Sequence, residues 1–344
     1  MVEVTFVGND ARRLHDGMLR RNQPTRQQWE AADFDPWAWV WDAGSAADAG
    51  VPYPYPGFSG MSGFALAPFP HVANTWGLLY YVESPLGSSS YRSFQLVYTR
   101  RMSHGFAANV SYNLSKSKGN TDDLFQDHWW TGNVQDVYNL DEAADTVTAM
   151  DQTHIFKGLV MLELPFGEGR RWLSGANRVV DAILGGWAIS NIFRYNTGNA
   201  LGISTGVGYS GWDGPVYANV TPNADFSRKF NSKNFDIENL SGNTYFSPGG
   251  FSKPDGSAGN RLGNGQIRYD GLRGFGGANE DIGIMKNWRV RETARLQFRA
   301  ELLNAFNRHG FANPVTSIDD EDFGKVRSVS GSPRAVQFGL RVDW

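Results

Sequence analysis

The sequence contains no cysteine. That excludes disulfides, thiolate metal sites and cysteine nucleophiles, and leaves packing and backbone pairing to stabilise the fold. It also lacks any run of the roughly 18 apolar residues that a membrane-spanning helix needs. The best stretch, Val179 to Ile189, is broken by Asp181, Gly185 and Gly186, so a helical membrane protein is excluded. Charge is sparse and nearly balanced. With 19% charged residues and a formal net charge of −3, no basic field exists to hold phosphates, and the pairs Arg12-Arg13 and Arg20-Arg21 stand alone; nucleic acid is not an expected partner. After Met1, the stretch Val-Glu-Val-Thr-Phe-Val offers no basic n-region, apolar h-region or cleavage site, so the sequence as given shows no secretion signal.

What is present points to β structure. Forty glycines and 14% aromatic residues describe a chain rich in turns and rings, a composition of all-β proteins and too aromatic for disorder. Period-2 alternation appears where such a chain should show it. Phe106, Ala108, Val110, Tyr112 and Leu114 share one face, and Ala107, Asn109, Ser111, Asn113 and Ser115 the other. Just before them, Phe94, Leu96 and Tyr98 oppose Ser93, Gln95 and Thr99, with Val97 the exception, and the short link Arg101 to Gly105 makes the two a hairpin. Near the end, Leu296, Phe298, Ala300 and Leu302 alternate with Arg295, Gln297, Arg299 and Glu301; a helical period would put these charges on both faces. The last segment sets Val336, Phe338, Leu340, Val342 and Trp344 against Gln337, Gly339, Arg341 and Asp343. Weaker strands are Val2–Val7, Ile155–Leu164, Trp187–Asn196 and Ile282–Trp288.

These sum to about eight strands, an even number as single-chain bacterial barrels require, and strands of about ten residues suffice to cross a bilayer. Connections after Arg101, Leu164 and Trp288 are short or moderate, whereas those after Val7, Ser117, Asn196 and Asn307 are long and rich in Gly, Pro, Asn and Asp. Short periplasmic turns opposite long external loops are a barrel arrangement, and this parity places the C-terminus in the periplasm. The expected fold is an all-β, antiparallel transmembrane β-barrel with long external loops, its polar residues Asn109, Ser111, Asn113, Arg295, Gln297, Arg299 and Glu301 facing the lumen and its apolar faces meeting outer-membrane lipid. Alternation alone fits a soluble β-sandwich equally well. The alternating loop lengths and the terminal aromatic on the apolar face favour the barrel.

Several stretches carry a family resemblance: Tyr91-Arg92-Ser93-Phe94-Gln95-Leu96 with Arg100-Arg101, Ser111-Tyr112-Asn113-Leu114-Ser115-Lys116-Ser117, Asp151-Gln152-Thr153-His154, Leu164-Pro165-Phe166-Gly167, Gly185-Gly186-Trp187, Arg299-Ala300-Glu301-Leu302-Leu303-Asn304-Ala305-Phe306-Asn307 and Pro333-Arg334-Ala335-Val336-Gln337-Phe338. In this order the chain resembles the C-terminal barrel of TonB-dependent outer-membrane transporters, in particular the Oar-like group; residues 10 to 88 match poorly. The resemblance implies a bacterial outer-membrane location and a gated importer, plugged by an N-terminal domain and driven by the TonB complex. It also implies a 22-stranded wall, so residues 1–344 are expected to be its C-terminal portion, reaching TonB only through a plug region that this sequence does not contain. By the same resemblance Phe338, Leu340, Val342 and Trp344 form the signal read by the barrel-assembly machinery. The alternative is that Trp344 only anchors the strand in an interfacial aromatic girdle.

Other patterns carry less. Gly206-Val207-Gly208-Tyr209-Ser210-Gly211 matches the dinucleotide fingerprint, but Trp212-Asp213-Gly214-Pro215 follows where a helix should begin. Asp319-Asp320-Glu321-Asp322 lacks the alternating spacing of a calcium loop and reads as a solvated charge run. The six histidines show no metalloprotease pairing, and His154 is expected to be structural at a strand start. No cofactor, metal or catalytic residue is expected, and the chain does not read as an enzyme. Trp37, Trp39 and Trp41 alternate behind Pro36, and Trp129-Trp130 follow His128. Such indoles suit stacking on flat ligands, although packing of the long loops against one another is the favoured reading. The external ligand is left open. Two rival functions remain: a soluble secreted carbohydrate-binding β protein, and a self-contained eight-stranded pore or adhesin whose first and last strands pair.

Overall fold

The computed structural model describes residues 1–14, 19–20, 22–31, 33–73, 80–81, 85–120, 134–212, 214–289 and 294–344. Eight long strands dominate: β1 (Val2–Leu14), β2 (Gly87–Ser103), β3 (Phe106–Gly119), β4 (His154–Glu163), β5 (Trp187–Asn196), β6 (Gly277–Arg289), β7 (Arg295–Leu303) and β8 (Ala335–Asp343). They form one antiparallel sheet in chain order, each strand hydrogen-bonded to the next. This up-and-down meander is what short links between alternating segments allow. The β2–β3 link shows how: His104 and Gly105 both have positive φ, +54° and +79°. Such a two-residue turn matches the right-handed twist of the strands it joins. No helix among the described residues is long and apolar enough to cross a membrane.

Pairing register aligns the alternating side chains into continuous faces. Val4 lies opposite Leu96, which is followed across the sheet by Tyr112, Phe156 and Tyr195. A second apolar row runs from Phe106 through Leu162, Ile189, Ile284 and Ala300 to Phe338. Val4, Leu96, Phe156, Leu162 and Phe338 of these rows are exposed and the rest are half-buried; Phe338, like Phe6 on β1, is 72% accessible. Slipping any strand by one residue would turn its apolar set to the other side, so the pattern fixes the register.

The connections sort by end. Residues 104–105, 164–186 and 290–294 link strands at one end, and residues 15–86, 120–153, 197–276 and 304–334 at the other. Among the described residues β1 and β8 do not pair with each other, so the sheet has two edges.

At the long-loop end the strands continue beyond the alternating region: β1 runs to Leu14 rather than Val7, and β6 begins at Gly277 rather than Ile282. β7 stops because Asn304 and Asn307 both adopt left-handed conformations, φ +48° and +50°, which asparagine tolerates better than most residues. The Asn304 amide closes the turn by donating to the carbonyls of Arg308 (2.8 Å) and Ser332 (2.9 Å). The Asn-Ala-Phe-Asn stretch is thus a strand terminator.

The long loops have hydrophobic cores of their own. Trp29, Phe34, Val40, Phe58 and Ala65 from the β1–β2 loop pack with Trp212, Val216 and Leu262 from the β5–β6 loop. A second cluster joins Phe230, Tyr245, Phe246 and Leu272 of the β5–β6 loop to Val326, with Phe311 and Phe323 against it. Loops this long are uncommon without structure of their own, and these have it.

Candidate functional site: the polar wall face and the loop platform

The polar face of the sheet is a hydrogen-bonded surface. Gln95 donates to Ser93 (3.2 Å), and the Asn113 amide donates to the Ser115 hydroxyl (3.1 Å) and the Tyr91 hydroxyl (3.4 Å). Further along, Gln297 donates to Asn287 (2.8 Å), Arg299 to Gln297 (2.5 Å), Gln337 to Glu301, and Arg341 to Asp343 (2.8 Å). Asn109, Ser111, Asn113, Arg295, Gln297, Arg299 and Glu301 therefore share one face, with Asn109 opposite Thr99, Ser111 opposite Lys157 and Arg295 opposite Asp343. The face is not uniformly polar: Leu159 and Ile192 lie opposite each other on it and are 43% and 55% exposed. Sequence periodicity does not reveal these positions, because each sits in a strand that alternates weakly.

The apolar face also carries charged residues; Glu280 and Lys286 are two of them, and both are occupied. Glu280 accepts from the Tyr195 hydroxyl and pairs with Arg308 at 2.8 Å. The Lys286 ammonium donates to the Gly185 carbonyl and lies 5.5 Å and 5.3 Å from the rings of Trp187 and Trp288, within cation–π range. His154 opens β4, where its Nδ1 meets the Tyr112 hydroxyl at 2.7 Å.

Above the wall, residues 36–41 form a two-faced ribbon. Val40 is fully buried and Ala38 packs against the first loop core, whereas Trp37, Trp39 and Trp41 are 57%, 50% and 59% exposed. The expectation that these indoles pack loop against loop is therefore corrected: the alternation that buries Val40 must turn the odd positions outward. The ribbon is held by pairing of Trp39–Val40 with Gly60–Met61, by the Trp39 indole donating to Ser59 (3.3 Å), and by a capping box between Asp42 and Ser45. The Ser45 N–H on its side chain holds the Asp42 carboxyl below the usual range. Trp129 and Trp130 lie outside the described residues.

Residues that no local pattern revealed clamp this assembly. Arg261 is fully buried and donates to the carbonyls of Trp29 (2.7 Å) and Phe34 (3.0 Å), with its guanidinium 4.5 Å from the Phe34 ring centroid. The backbone N–H groups of Arg261 and Leu262 both donate to Glu30. Asp151, from the Asp-Gln-Thr-His stretch, is buried and binds Arg273 (2.7 Å) while accepting from the Ser117 N–H (2.6 Å), tying the β5–β6 loop to β3. Gly211, in the glycine-rich stretch, approaches the Gly63 backbone so closely that a Cβ on either would overlap the other segment. The stretch is a loop contact, and no helix follows it among the described residues. In the acidic run, Asp319 pairs with Lys253, Asp320 with Arg327, and Asp322 with Lys325 and Arg327; these last two hold the Asp322 carboxyl below its ordinary range.

A sheet of this kind, polar on one face and bare hydrocarbon on the other, with long folded loops at one end, is the wall of a membrane β-barrel. The chain belongs to the outer membrane beta barrel domain family, whose model matches residues 1–337. It is accordingly an outer-membrane protein, and the soluble secreted reading is set aside. No curated protein matches the sequence. Among solved structures, the outer membrane transporter YddB from Escherichia coli is similar at 9% identity and a TM-score of 0.35, over 99% of this chain and 30% of that one. The chain thus spans about 30% of that transporter's length.

Proposed function

We propose that this chain supplies wall strands and the external ligand-binding loops of a TonB-dependent transporter of the Oar-like group. The observation that carries the reading is the loop platform: long loops at one end of a barrel wall fold on their own cores and present three exposed indoles on a braced ribbon. A pore needs no such surface, whereas a receptor does. Rigid aromatic faces favour ligands with flat apolar faces, such as sugar rings or aromatic chelators. The polar face, lined by Asn109, Ser111, Arg299 and their neighbours, lines the lumen, where a plug from a longer parent chain would sit. No residue acts as a catalyst. Unpaired β1 and β8 edges argue against a self-contained eight-stranded pore, because hydrocarbon cannot satisfy free backbone groups.

The test is uptake. Cells lacking the parent gene are compared with wild type for growth on a panel of glycans and chelated iron. Any ligand so identified is then supplied to cells without a working TonB complex and to cells carrying Trp37→Ala, Trp39→Ala and Trp41→Ala together. The reading requires uptake to fail in both. Uptake that persists without the TonB complex would leave a passive pore.

A further inference from the structure

The β4–β5 connection carries a helix, Arg178–Leu184, whose place on the wall the barrel function does not explain. Asn177 caps its start by accepting from the N–H groups of Val179 and Val180 at 3.1 Å and 3.0 Å. Its last carbonyls, which no helix satisfies internally, are taken by the wall: the Trp288 indole donates to Ala182 (2.7 Å), the Trp187 indole to Ile183 (2.8 Å), and Lys286 to Gly185. All three donors stand on the apolar face, so the helix lies on the lipid side of the barrel at the short-turn end. Glycines permit the close fit. At Gly167 a Cβ would overlap Asp181 and Gly185, and at Gly186 it would overlap the Asn287 carbonyl.

The helix turns its apolar residues away from the protein. Val179, Ile183 and Leu184 are 69%, 61% and 47% exposed, and nearby Trp172 and Leu173 are 49% and 43% exposed. This surface lies on the same side of the sheet as the row of Ile189, Ile284 and Phe338, since Trp187, Lys286 and Trp288, which hold the helix, share that face. Around it, Arg170 is paired with Glu163 at 2.8 Å, while Arg171 and Arg178 are exposed and have no ion-pair partner among the described residues.

We infer that residues 171–184 form an interfacial foot, bound to phospholipid of the inner leaflet. Val179, Ile183 and Leu184 enter the acyl region, and Arg171 and Arg178 meet phosphate groups. An amphipathic helix with basic flanks behaves this way at a bilayer surface. The assignment of leaflet rests on the orientation used above, with short turns facing the periplasm; contact with lipid does not.

The absence of cysteine permits a direct test. Val179→Cys, Ile183→Cys, Glu168→Cys and Ile284→Cys are each labelled with an environment-sensitive fluorophore in outer membranes from cells that make the protein. The membranes are then fused with phosphatidylethanolamine–phosphatidylglycerol vesicles carrying a nitroxide near the headgroup or at mid-chain. The foot predicts blue-shifted emission at 179 and 183, loss of quenching by aqueous iodide, and stronger quenching by the shallow nitroxide than by the deep one. Position 168 should be quenched by iodide, and position 284 by the deep nitroxide. Iodide quenching at 179 and 183 equal to that at 168, with 284 still in lipid, overturns the proposal. Protection at 179 and 183 from every quencher means that another protein covers them, which also overturns it. If 284 itself is reached by iodide, the lipid-face assignment has failed instead.

Discussion

Replacing Arg261 with methionine should loosen the external loops while leaving the wall intact. The guanidinium supplies the partner for two buried carbonyls, Trp29 and Phe34, and sits over the Phe34 ring. Stranding two buried acceptors costs about 1–3 kcal/mol each, and losing the ring contact costs about 1 kcal/mol more. Methionine keeps most of the packing volume and removes a buried charge, which offsets part of this. The net loss is about 2–4 kcal/mol, confined to the first loop core because Arg261 touches no wall strand in these bonds. Hydrogen exchange measured segment by segment in the membrane-embedded protein reads it. Amides of residues 26–40 and 257–265 should lose protection by about one and a half to three orders of magnitude at roughly 1.4 kcal/mol per decade, whereas β2–β7 should not change. Arg261→Lys should recover only part, since an ammonium cannot reproduce the planar fork. Unchanged protection of residues 26–40 would refute the clamp, and equal loss in the strands would refute the independence of loops and wall.

Three further outcomes follow from the same geometry. Phe298→Arg, on the lipid side, should cost about 2–4 kcal/mol when folding into vesicles is measured, whereas Gln297→Arg on the opposite face should be tolerated; equal effects would contradict the assigned faces. Deleting Trp344, 92% exposed at the end of the apolar row, should sharply reduce outer-membrane assembly of the parent protein in cells while leaving detergent refolding nearly normal; a modest loss in both would make Trp344 an interfacial anchor. The Asp322 contacts with Lys325 and Arg327 lower its pKa below 3.8. A depressed carboxylate stabilises above its unfolded pKa and loses that contribution as pH falls through the folded value, so proteolysis at residues 315–327 should rise only below about pH 4, and an onset near neutrality would contradict the assignment.

The wall was legible because one physical demand, hydrocarbon on one side and water on the other, writes itself into every second residue. Trp187–Asn196 falls on its expected boundaries. Where the demand stops, so does the signal: Gly8 to Leu14 continues β1 with polar residues on both faces, and the strand end could not be read. The loops obey no period. Trp29 is completely buried and Trp39 half exposed, yet nothing in their neighbours distinguishes them, because Trp29 is buried by Trp212 and Arg261, far away in sequence. The Trp37-Trp39-Trp41 alternation was visible, but which face it buried depended on Val40 finding a core that only tertiary contact creates. Asp151 and Gly167 lay within stretches noted for family likeness; the likeness located them without revealing that one anchors a loop and the other seats a helix.

The clamp at Arg261 also bears on how the protein matures. Its partner Trp29 stands 232 positions earlier in the chain, and β2 to β5 lie between them. Closing the first loop core before the intervening strands have paired therefore carries a larger loop-closure cost than closing it afterwards, when the wall has brought the two segments together. Until the core closes, Trp29, Phe34 and Phe58 lack the Trp212, Val216 and Leu262 partners that bury them in the folded loops. Late closure of this core would make its protection from proteolysis a readout of completed assembly, because the residues that brace the long loops are the ones left accessible before it forms.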